Sequence, residues 1–141
     1  MPGLWDAHVH FLGCTSYSVD ESTTTPLALA GARSARDIVA TLNAGYTSVR
    51  EMAGYGVELS QVVSENWIPG PAIYSSVAIL SPTAGHADAR SVPQSQVKEA
   101  MGCGDLPLFT CDGESECIKA VRTMVRKYVS KTYILTHVSV K

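Results

Sequence analysis

Segments of strand character alternate with segments of helix character along this chain, and that alternation limits its possible folds more than any other feature. Apolar residues recur at helical spacing over 26–44 and 57–67, whereas β-branched runs cover 46–52 and 72–80. Glycine or proline separates these segments, as at Gly45. Strand–helix–strand order with short turns is typical of parallel βαβ units. The sequence therefore predicts an α/β fold whose functional groups lie at the carboxyl ends of the strands.

The remaining segments lack such clear periodicity until the last third of the chain. Residues 13–25 are rich in Ser, Thr and Asp and predict a loop, and residues 89–111 predict a long irregular loop over the mouth of the sheet. Residues 112–127 predict a helix with acidic residues at its start and basic residues at its end. Residues 132–140 are β-prone and predict a last strand. The apolar stripe expected on the helix consists of Ile118, Val121, Val125 and Tyr128.

The amino-terminal stretch predicts a first strand that carries two histidines. It reads Pro2-Gly3-Leu4-Trp5-Asp6-Ala7-His8-Val9-His10-Phe11. Because side chains alternate along a strand, Asp6, His8 and His10 project to the same face. Adjacent imidazoles are natural ligands of Zn²⁺ or a similar divalent ion, and Asp6 could hold one ring N–H. The spacing alone leaves an alternative open, in which both histidines are surface residues of a half-buried strand.

Composition excludes several classes of function. The chain has 141 residues, of which 45% are hydrophobic and 17% charged, so it is one globular domain at most. A net charge of −2 and a pI near 6.0 argue against nucleic-acid or membrane-surface partners. The sequence has no run long and apolar enough for a bilayer and no signal-peptide pattern, which predicts a cytoplasmic protein. The basic residues Lys119, Arg122 and Arg126 are expected on a solvated helix face.

The four cysteines carry no C-x-x-C pair, which argues against a structural zinc site. They are Cys14, Cys103, Cys111 and Cys117. Free thiols are the prediction, and a bridge among the last three is the alternative.

Three motifs resemble the metal-dependent amidohydrolase superfamily. The first strand matches the family pattern Pro-Gly-hydrophobic-hydrophobic-Asp-x-His-x-His, and residues 45–54 resemble its second strand, Gly-x-Thr-Thr-x-Arg-Asp. Residues 81–88 resemble a Ser-Pro-Thr-Gly-Gly-His-Gly-Asp loop in the branch of imidazolonepropionase-like enzymes, Xaa-Pro dipeptidases and fungal ochratoxin-hydrolysing amidases. Two family glycines are replaced here by Ala84 and Ala87, and either alanine costs about 1–2 kcal/mol if its φ is positive.

The resemblance implies a partial TIM (β/α)₈ barrel of three to four βα units, with parallel strands and crossover helices. It implies that His8 and His10 are metal ligands, with Asp6 orienting one of them. His86 would border the substrate pocket, or alternatively stabilise its own loop. Intact relatives hold two divalent ions, here expected to be Zn²⁺, and hydrolyse amide, cyclic amide or Xaa-Pro C–N bonds with an activated water.

The family pattern ends near residue 127. Relatives continue through a Gly-Ala turn into a strand with a metal-bridging lysine, whereas Lys131 is out of register here and Lys141 lies several residues late. We therefore predict that residues 1–127 are the N-terminal half of a barrel and that residues 128–141 are an unrelated tail. A frameshift, a retained intron or a mis-called gene model would explain such a tail. No catalytic residue is assigned, and the isolated chain is predicted to be inactive.

The expected partner is a small amide or dipeptide-like substrate. A half barrel also leaves open sheet edges, which invite self-association. One alternative is a non-catalytic small α/β protein, such as a regulator that docks against a full-length paralogue. A further alternative is an independent mononuclear metal site, formed by His8, His10, His86 and His137.

Overall fold

Parallel strands and helices alternate in the structure, a computed structural model that describes residues 2–16, 20–103, 107–127 and 137–138. The strands are β1 (Leu4–Val9), β2 (Tyr46–Glu51), β3 (Ala72–Ser75), β4 (Ile79–Ser81), β5 (Leu108–Thr110) and β6 (His137–Val138). The helices are α1 (Glu21–Thr24), α2 (Leu27–Asn43), α3 (Gly56–Ser64), α4 (Gln94–Cys103) and α5 (Glu114–Lys127).

The described strands form two three-stranded sheets with the orders β1-β2-β3 and β5-β4-β6. All four strand pairs are parallel. The predicted α/β architecture with crossover helices is therefore confirmed. Because the strands are parallel, the carboxyl ends of β1, β2 and β3 lie at one edge, where the sequence predicts the functional groups.

Helix α2 forms where the periodicity predicts it. Its buried residues Ala30, Ser34 and Ile38 are four apart and lie on one face. The helix ends at Asn43, and the chain turns away at Gly45, whose φ is +96° and whose N–H donates to the carbonyl of Leu42 at 2.9 Å. A glycine suits this position because it has no Cβ to clash in the left-handed region.

Helix α3 ends earlier than the predicted boundary at Trp67. Asn66 has a φ of +61°, which turns the chain out of the helix. The N–H of Asn66 donates to Val63 at 3.0 Å, and the N–H of Trp67 donates to Val62 at 3.1 Å. These bonds satisfy the last helical carbonyls and leave Trp67 exposed.

The third strand, predicted as one run over 72–80, is in fact split into β3 and β4. Val77 has a φ of +77°, a conformation that interrupts an extended strand and is rare for a β-branched residue. The Ser75 hydroxyl accepts the N–H of Val77 at 3.0 Å and so stabilises the break. As a result β3 belongs to the first sheet and β4 to the second.

The prediction of an irregular loop over 89–111 is wrong, because this segment contains α4 and β5. The carbonyl of Pro93 accepts the N–H groups of Gln96 and Val97, at 2.9 and 3.2 Å, and starts the helix. Val97 is buried in a small cluster with Leu108 from β5. Tertiary burial of Val97 thus stabilises a helix that has little amphipathic signal of its own.

Helix α5 lies where it is predicted, but its buried face is rotated. Ile118 and Val125 are each 42% exposed, whereas Ala120 and Met124 are buried in a cluster with Leu80 of β4. The predicted basic face is exposed, as expected for Lys119, Arg122 and Arg126.

Some predictions fall outside the described residues. They include most of the strand expected over 132–140, of which only β6 is described, and the positions of Lys131 and Lys141. The division of the chain near residue 127 therefore stays a prediction. Over the described ranges, no helix combines the length and apolar character needed to cross a membrane.

Candidate metal centre

The two histidines of the first strand converge at its carboxyl end. Their Nε2 atoms are 3.1 Å apart, and the ring centroids are separated by 5.0 Å with an interplanar angle of 70°. Two nitrogens bound to one tetrahedral Zn²⁺ at about 2.0–2.1 Å would be separated by about 3.4 Å. The pair formed by His8 and His10 is therefore within a few tenths of an ångström of the spacing that one ion requires.

The backbone beyond β2 orients one of these rings. Nδ1 of His10 lies 3.1 Å from the carbonyl oxygen of Ala53. In neutral His10, Nδ1–H donates to this carbonyl, so Nε2 is the unprotonated nitrogen and accepts a hydrogen bond from Nε2–H of His8. Ala53 has a φ of +130°, an unusual conformation for a residue with a side chain. Sequence reasoning missed Ala53, because its side chain carries no chemistry and its contact is 43 residues away.

Asp6 contacts the backbone of the same strand. Its Oδ1 accepts a hydrogen bond from the backbone N–H of His8 at 3.0 Å. This bond stabilises the strand immediately before the histidine pair. The predicted contact between Asp6 and an imidazole N–H stays a prediction.

The pair fits part of a metal site. Across the residues that the structure describes, no group of three or more His, Cys, Asp or Glu side chains could hold an ion. Catalytic zinc sites usually take three protein ligands and one open position. His8 and His10 can thus supply two ligands, and the others would lie elsewhere. The alternative four-histidine site includes His137, whose side chain lies outside the described part of the chain.

A cavity of about 490 Å³ adjoins the histidine pair, and His10 and His86 both line it. The structure thus brings together two residues that are far apart in sequence and that the resemblance associates with the site. The role of His86 towards a substrate stays a prediction. Sequence reasoning missed Cys14, Ser22 and Asp37, which also line the cavity. The only signal for Cys14 was its position in the loop that follows the first strand.

The loop over 81–88 that carries His86 is fixed by short polar contacts. The Asp88 carboxylate accepts the N–H of Ala84 at 2.7 Å. Asp112, which follows β5, accepts the N–H of Thr83 at 2.9 Å and also its hydroxyl proton. These contacts hold the loop against the carboxyl ends of β4 and β5.

Replacing Ala84→Gly is expected to stabilise the chain by about 1 kcal/mol. Ala84 has a φ of +61°, where an L side chain costs about 1–2 kcal/mol. Glycine removes this cost, but its greater conformational entropy in the unfolded chain offsets part of the gain in stability. Little packing is lost because Ala84 is exposed. Urea unfolding of the two proteins measures the difference.

Ala87→Gly is the matched control in the same loop. Ala87 does not have a positive φ, and its side chain is buried with Ala89 and Val97. Removing this methyl group is expected to destabilise the chain by about 1 kcal/mol. Equal stabilisation by both substitutions would contradict the explanation based on φ.

A buried carboxyl group lies at the end of β2, two residues before Ala53. Glu51 is fully buried, and its Oε2 accepts the hydroxyl proton of Ser75 at 2.6 Å. Burial raises the pKa of Glu51 to about 7, although hydrogen bonds from Ser75 and from the backbone of Phe11 and Ala53 lower it. A Cβ added at Gly54 would collide with this carboxyl. Glu51 therefore connects the ends of β1, β2 and β3. Its position at the end of β2 did not reveal this role.

The predicted loop over 13–25 also contains more structure than expected, since it includes α1. The Glu21 carboxylate accepts the backbone N–H and hydroxyl groups of Thr15 and Ser16, at 2.7–2.9 Å. The N–H of Thr15, followed by the hydroxyl groups of Ser16 and Thr15, lowers the pKa of the half-buried Glu21 to about 2. These bonds fold the chain back beside the cavity.

Parallel βα units with two imidazoles at the end of the first strand are typical of one class of protein, the barrel hydrolases. This chain corresponds to the N-terminal part of such a barrel. The chain belongs to the amidohydrolase family, whose model matches residues 1–139. Ochratoxinase from Aspergillus niger is 42% identical over 137 residues, which cover 90% of this chain and 28% of the relative.

Solved structures agree with this assignment. The crystal structure of A. niger ochratoxinase matches with a TM-score of 0.82 at 41% identity, covering 90% of this chain and 32% of the other. A prolidase complexed with N-methylphosphonate-L-proline matches with a TM-score of 0.76 at 31% identity, covering 95% of this chain and 33% of the prolidase. The chain spans about a third or less of the length of these relatives. The predicted partial barrel, corresponding to the N-terminal part of theirs, is confirmed.

Proposed function

We propose that this chain is the N-terminal part of a metal-dependent amidohydrolase barrel and contributes His8 and His10 to its metal centre. The reaction is hydrolysis of a C–N bond of the amide, cyclic amide or Xaa-Pro type. The observation that carries the proposal is the 3.1 Å separation of the two Nε2 atoms, with His10 held by the Ala53 carbonyl. An ion bound between the rings would take the place of the Nε2–Nε2 hydrogen bond and would be ligated by both imidazoles.

Imidazole ligands suit a borderline-soft divalent ion, and Zn²⁺ is the one we propose. When bound, such an ion supplies Lewis-acid chemistry that activates a water and polarises the scissile carbonyl. The chain's own part is to orient the two rings and to form one wall of the substrate pocket. His86 lines the same cavity as His10 and is proposed to contact the substrate.

The substrate is proposed to be a small amide or a dipeptide-like molecule. A cavity of about 490 Å³ is within the usual range for small-molecule sites. Two similar proteins support this class, since one is named an ochratoxinase and the other is a prolidase complexed with a proline phosphonate. The isolated chain is proposed to be inactive, because the pair supplies fewer ligands than a catalytic zinc site takes.

A chimera tests the proposal in a complete barrel. Residues 2–127 of this chain replace the matching segment of A. niger ochratoxinase, and hydrolysis of the parent's substrate is measured with added Zn²⁺. We expect the chimera to be active and the His8→Ala, His10→Ala double variant to lose at least about 1,000-fold in kcat/KM, since metal activation is lost. The isolated chain with Zn²⁺ is expected to show no turnover.

Two controls make the result decisive. Circular dichroism and gel filtration establish that each chimera is folded, and His137 lies beyond the transplanted segment and cannot contribute. A folded chimera that retains full activity without His8 and His10 would contradict the metal role. Enzyme-like turnover by the isolated chain would contradict its proposed inactivity.

A second candidate function is a non-catalytic protein that pairs with another chain through its sheet edge. β1 lies at the edge of the first sheet, and its residues Leu4 and Trp5 are 44% and 61% exposed. Exposed apolar side chains on an edge strand favour pairing with a second chain. Gel filtration of the isolated chain at several concentrations measures this self-association.

A further inference from the structure

Two cysteine side chains meet at the junction of β5 and α5. The Sγ atoms of Cys111 and Cys117 are 2.8 Å apart, and both residues are free thiols. A disulfide has an S–S distance of about 2.05 Å, so the sulfurs need to approach by less than about 1 Å. Among the three cysteines whose side chains the structure describes, it thus selects one pair that sequence spacing could not choose.

The fold fixes the backbone at both ends of this pair. The N–H of Cys111 donates to the carbonyl of Ser81 on β4 at 2.9 Å, which holds Cys111 at the end of β5. The N–H of Cys117 donates to the carbonyl of Gly113 at 3.1 Å in the first turn of α5. Gly113 has a φ of +96°, and it makes the turn that directs the helix back towards the strand. Proximity of the sulfurs is therefore a property of the β5–α5 turn.

We propose that Cys111 and Cys117 are a reversible oxidation site that forms an intramolecular disulfide by exchange with a small disulfide such as glutathione disulfide. A thiolate of the pair attacks one sulfur of the oxidant, breaks its S–S bond and releases one glutathione thiolate. The second protein thiolate then attacks the protein sulfur of the mixed disulfide and releases the other. Two electrons pass from the protein to the oxidant, and the two thiol protons are taken up by the released thiolates.

The surroundings of the two thiols set the order of these steps. Cys117 is half-buried and accessible to a small oxidant, whereas Cys111 is only 8% exposed. Burial, together with the neighbouring Cys117 thiol, raises the pKa of Cys111 to about 11. We therefore assign Cys117 to the first exchange and Cys111 to the second. Closure should be slow near neutral pH and accelerate as the pH rises, because the thiolate is the nucleophile.

The bond would affect the loop that carries His86. Asp112 lies between the two cysteines and binds the backbone N–H and hydroxyl of Thr83. The N–H of Asp112 also donates to Glu116 at 2.7 Å. A disulfide from Cys111 to Cys117 would restrict this turn and with it the anchor of the loop. The inference is independent of the proposed hydrolase function.

Digestion of the equilibrated chain tests the pairing. The 141-residue protein is held in glutathione redox buffers, its free thiols are blocked, and it is cut with trypsin and Asp-N. Cleavage after Lys98 and before Asp105 and Asp112 separates Cys103, Cys111 and Cys117 into different peptides. We expect the linked peptides to be residues 105–111 and 112–119. A linkage through Cys103 or Cys14, or mixed disulfides alone, would overturn the proposal.

A comparison with the unfolded chain shows whether the fold favours disulfide closure, or whether closure only reflects the short sequence separation of the two cysteines. We expect the equilibrium constant for closure to be at least about tenfold higher in native buffer than in concentrated guanidinium, because the fold holds the sulfurs together. Equal constants would overturn the proposal. Cys117→Ser and Cys111→Ser should each abolish closure, and the control Cys14→Ser should leave it unchanged.

Discussion

Lowering the pH from about 8 to about 5 is expected to stabilise the folded chain by roughly 2–3 kcal/mol through Glu51 alone. Burial raises the pKa of Glu51 from its ordinary value of 4.5 to about 7 in the folded state. Between these two values the unfolded chain releases the proton while the folded chain keeps it. The stabilisation is therefore complete below about 4.5 and is lost as the pH rises through about 7.

Urea unfolding at several pH values measures this effect, and Glu51→Gln isolates it. Glutamine resembles the neutral carboxylic acid and keeps an acceptor for the Ser75 hydroxyl, so the variant should lose most of the pH dependence in this window. Glu99→Gln is the matched control because Glu99 is exposed, and it should behave like the parent chain. An unchanged pH dependence in Glu51→Gln would show that the buried carboxyl does not titrate as described.

At still lower pH, the stability of the folded chain should decrease again. Hydrogen bonds from Thr83, first from its hydroxyl and then from its N–H, lower the pKa of Asp112, and similar bonds lower the pKa of Glu21 to about 2. Stability that depends on these carboxylates is present above their unfolded pKa values and is lost as the pH falls below them. The free energy of unfolding should thus pass through a maximum near the ordinary pKa of a carboxylic acid.

If His8 and His10 bind Zn²⁺ as proposed, removing either of them is expected to weaken Zn²⁺ binding by about 100-fold. With one ring gone, the ion loses a ligand and the remaining imidazole is a single, poorly specific site. Competition with a chromophoric chelator measures the affinity of the parent chain, His8→Ala and His10→Ala. The assay does not require catalytic activity and therefore applies to the isolated chain.

His86→Ala is the matched control for the metal experiment. His86 lines the same cavity as His10 but is not assigned to the ion, so its removal should change the affinity by less than about threefold. A loss as large as that of His8→Ala would make His86 a ligand. An affinity in His8→Ala and His10→Ala equal to that of the parent chain would refute a site at the histidine pair.

Local periodicity accounts for the elements that were predicted well. The burial of Ala30 and Ile38 on one face of α2 follows from the spacing of apolar residues, which any helix must satisfy. The convergence of His8 and His10 follows equally from the alternation of side chains along a strand. Such predictions succeed because they depend on residues only a few positions apart.

Predictions failed where distant contacts overrule local preference. The break at Val77 depends on the Ser75 hydroxyl, which also binds Glu51 on the neighbouring strand. Helix α4 depends on the burial of Val97 against Leu108, and its own sequence has little amphipathic character. No hydrophobic periodicity in the sequence predicts either contact.

The sequence by itself determined the parallel βα order and the two imidazoles at the end of the first strand, because strand and helix periods are local properties. Only the tertiary structure decided that Ala53 orients His10, that Glu51 is buried against Ser75 and that Cys111 meets Cys117. The first two depend on which strands become neighbours, and the third depends on how one turn returns a helix to its strand. These contacts depend on tertiary packing and cannot be derived from the local sequence pattern.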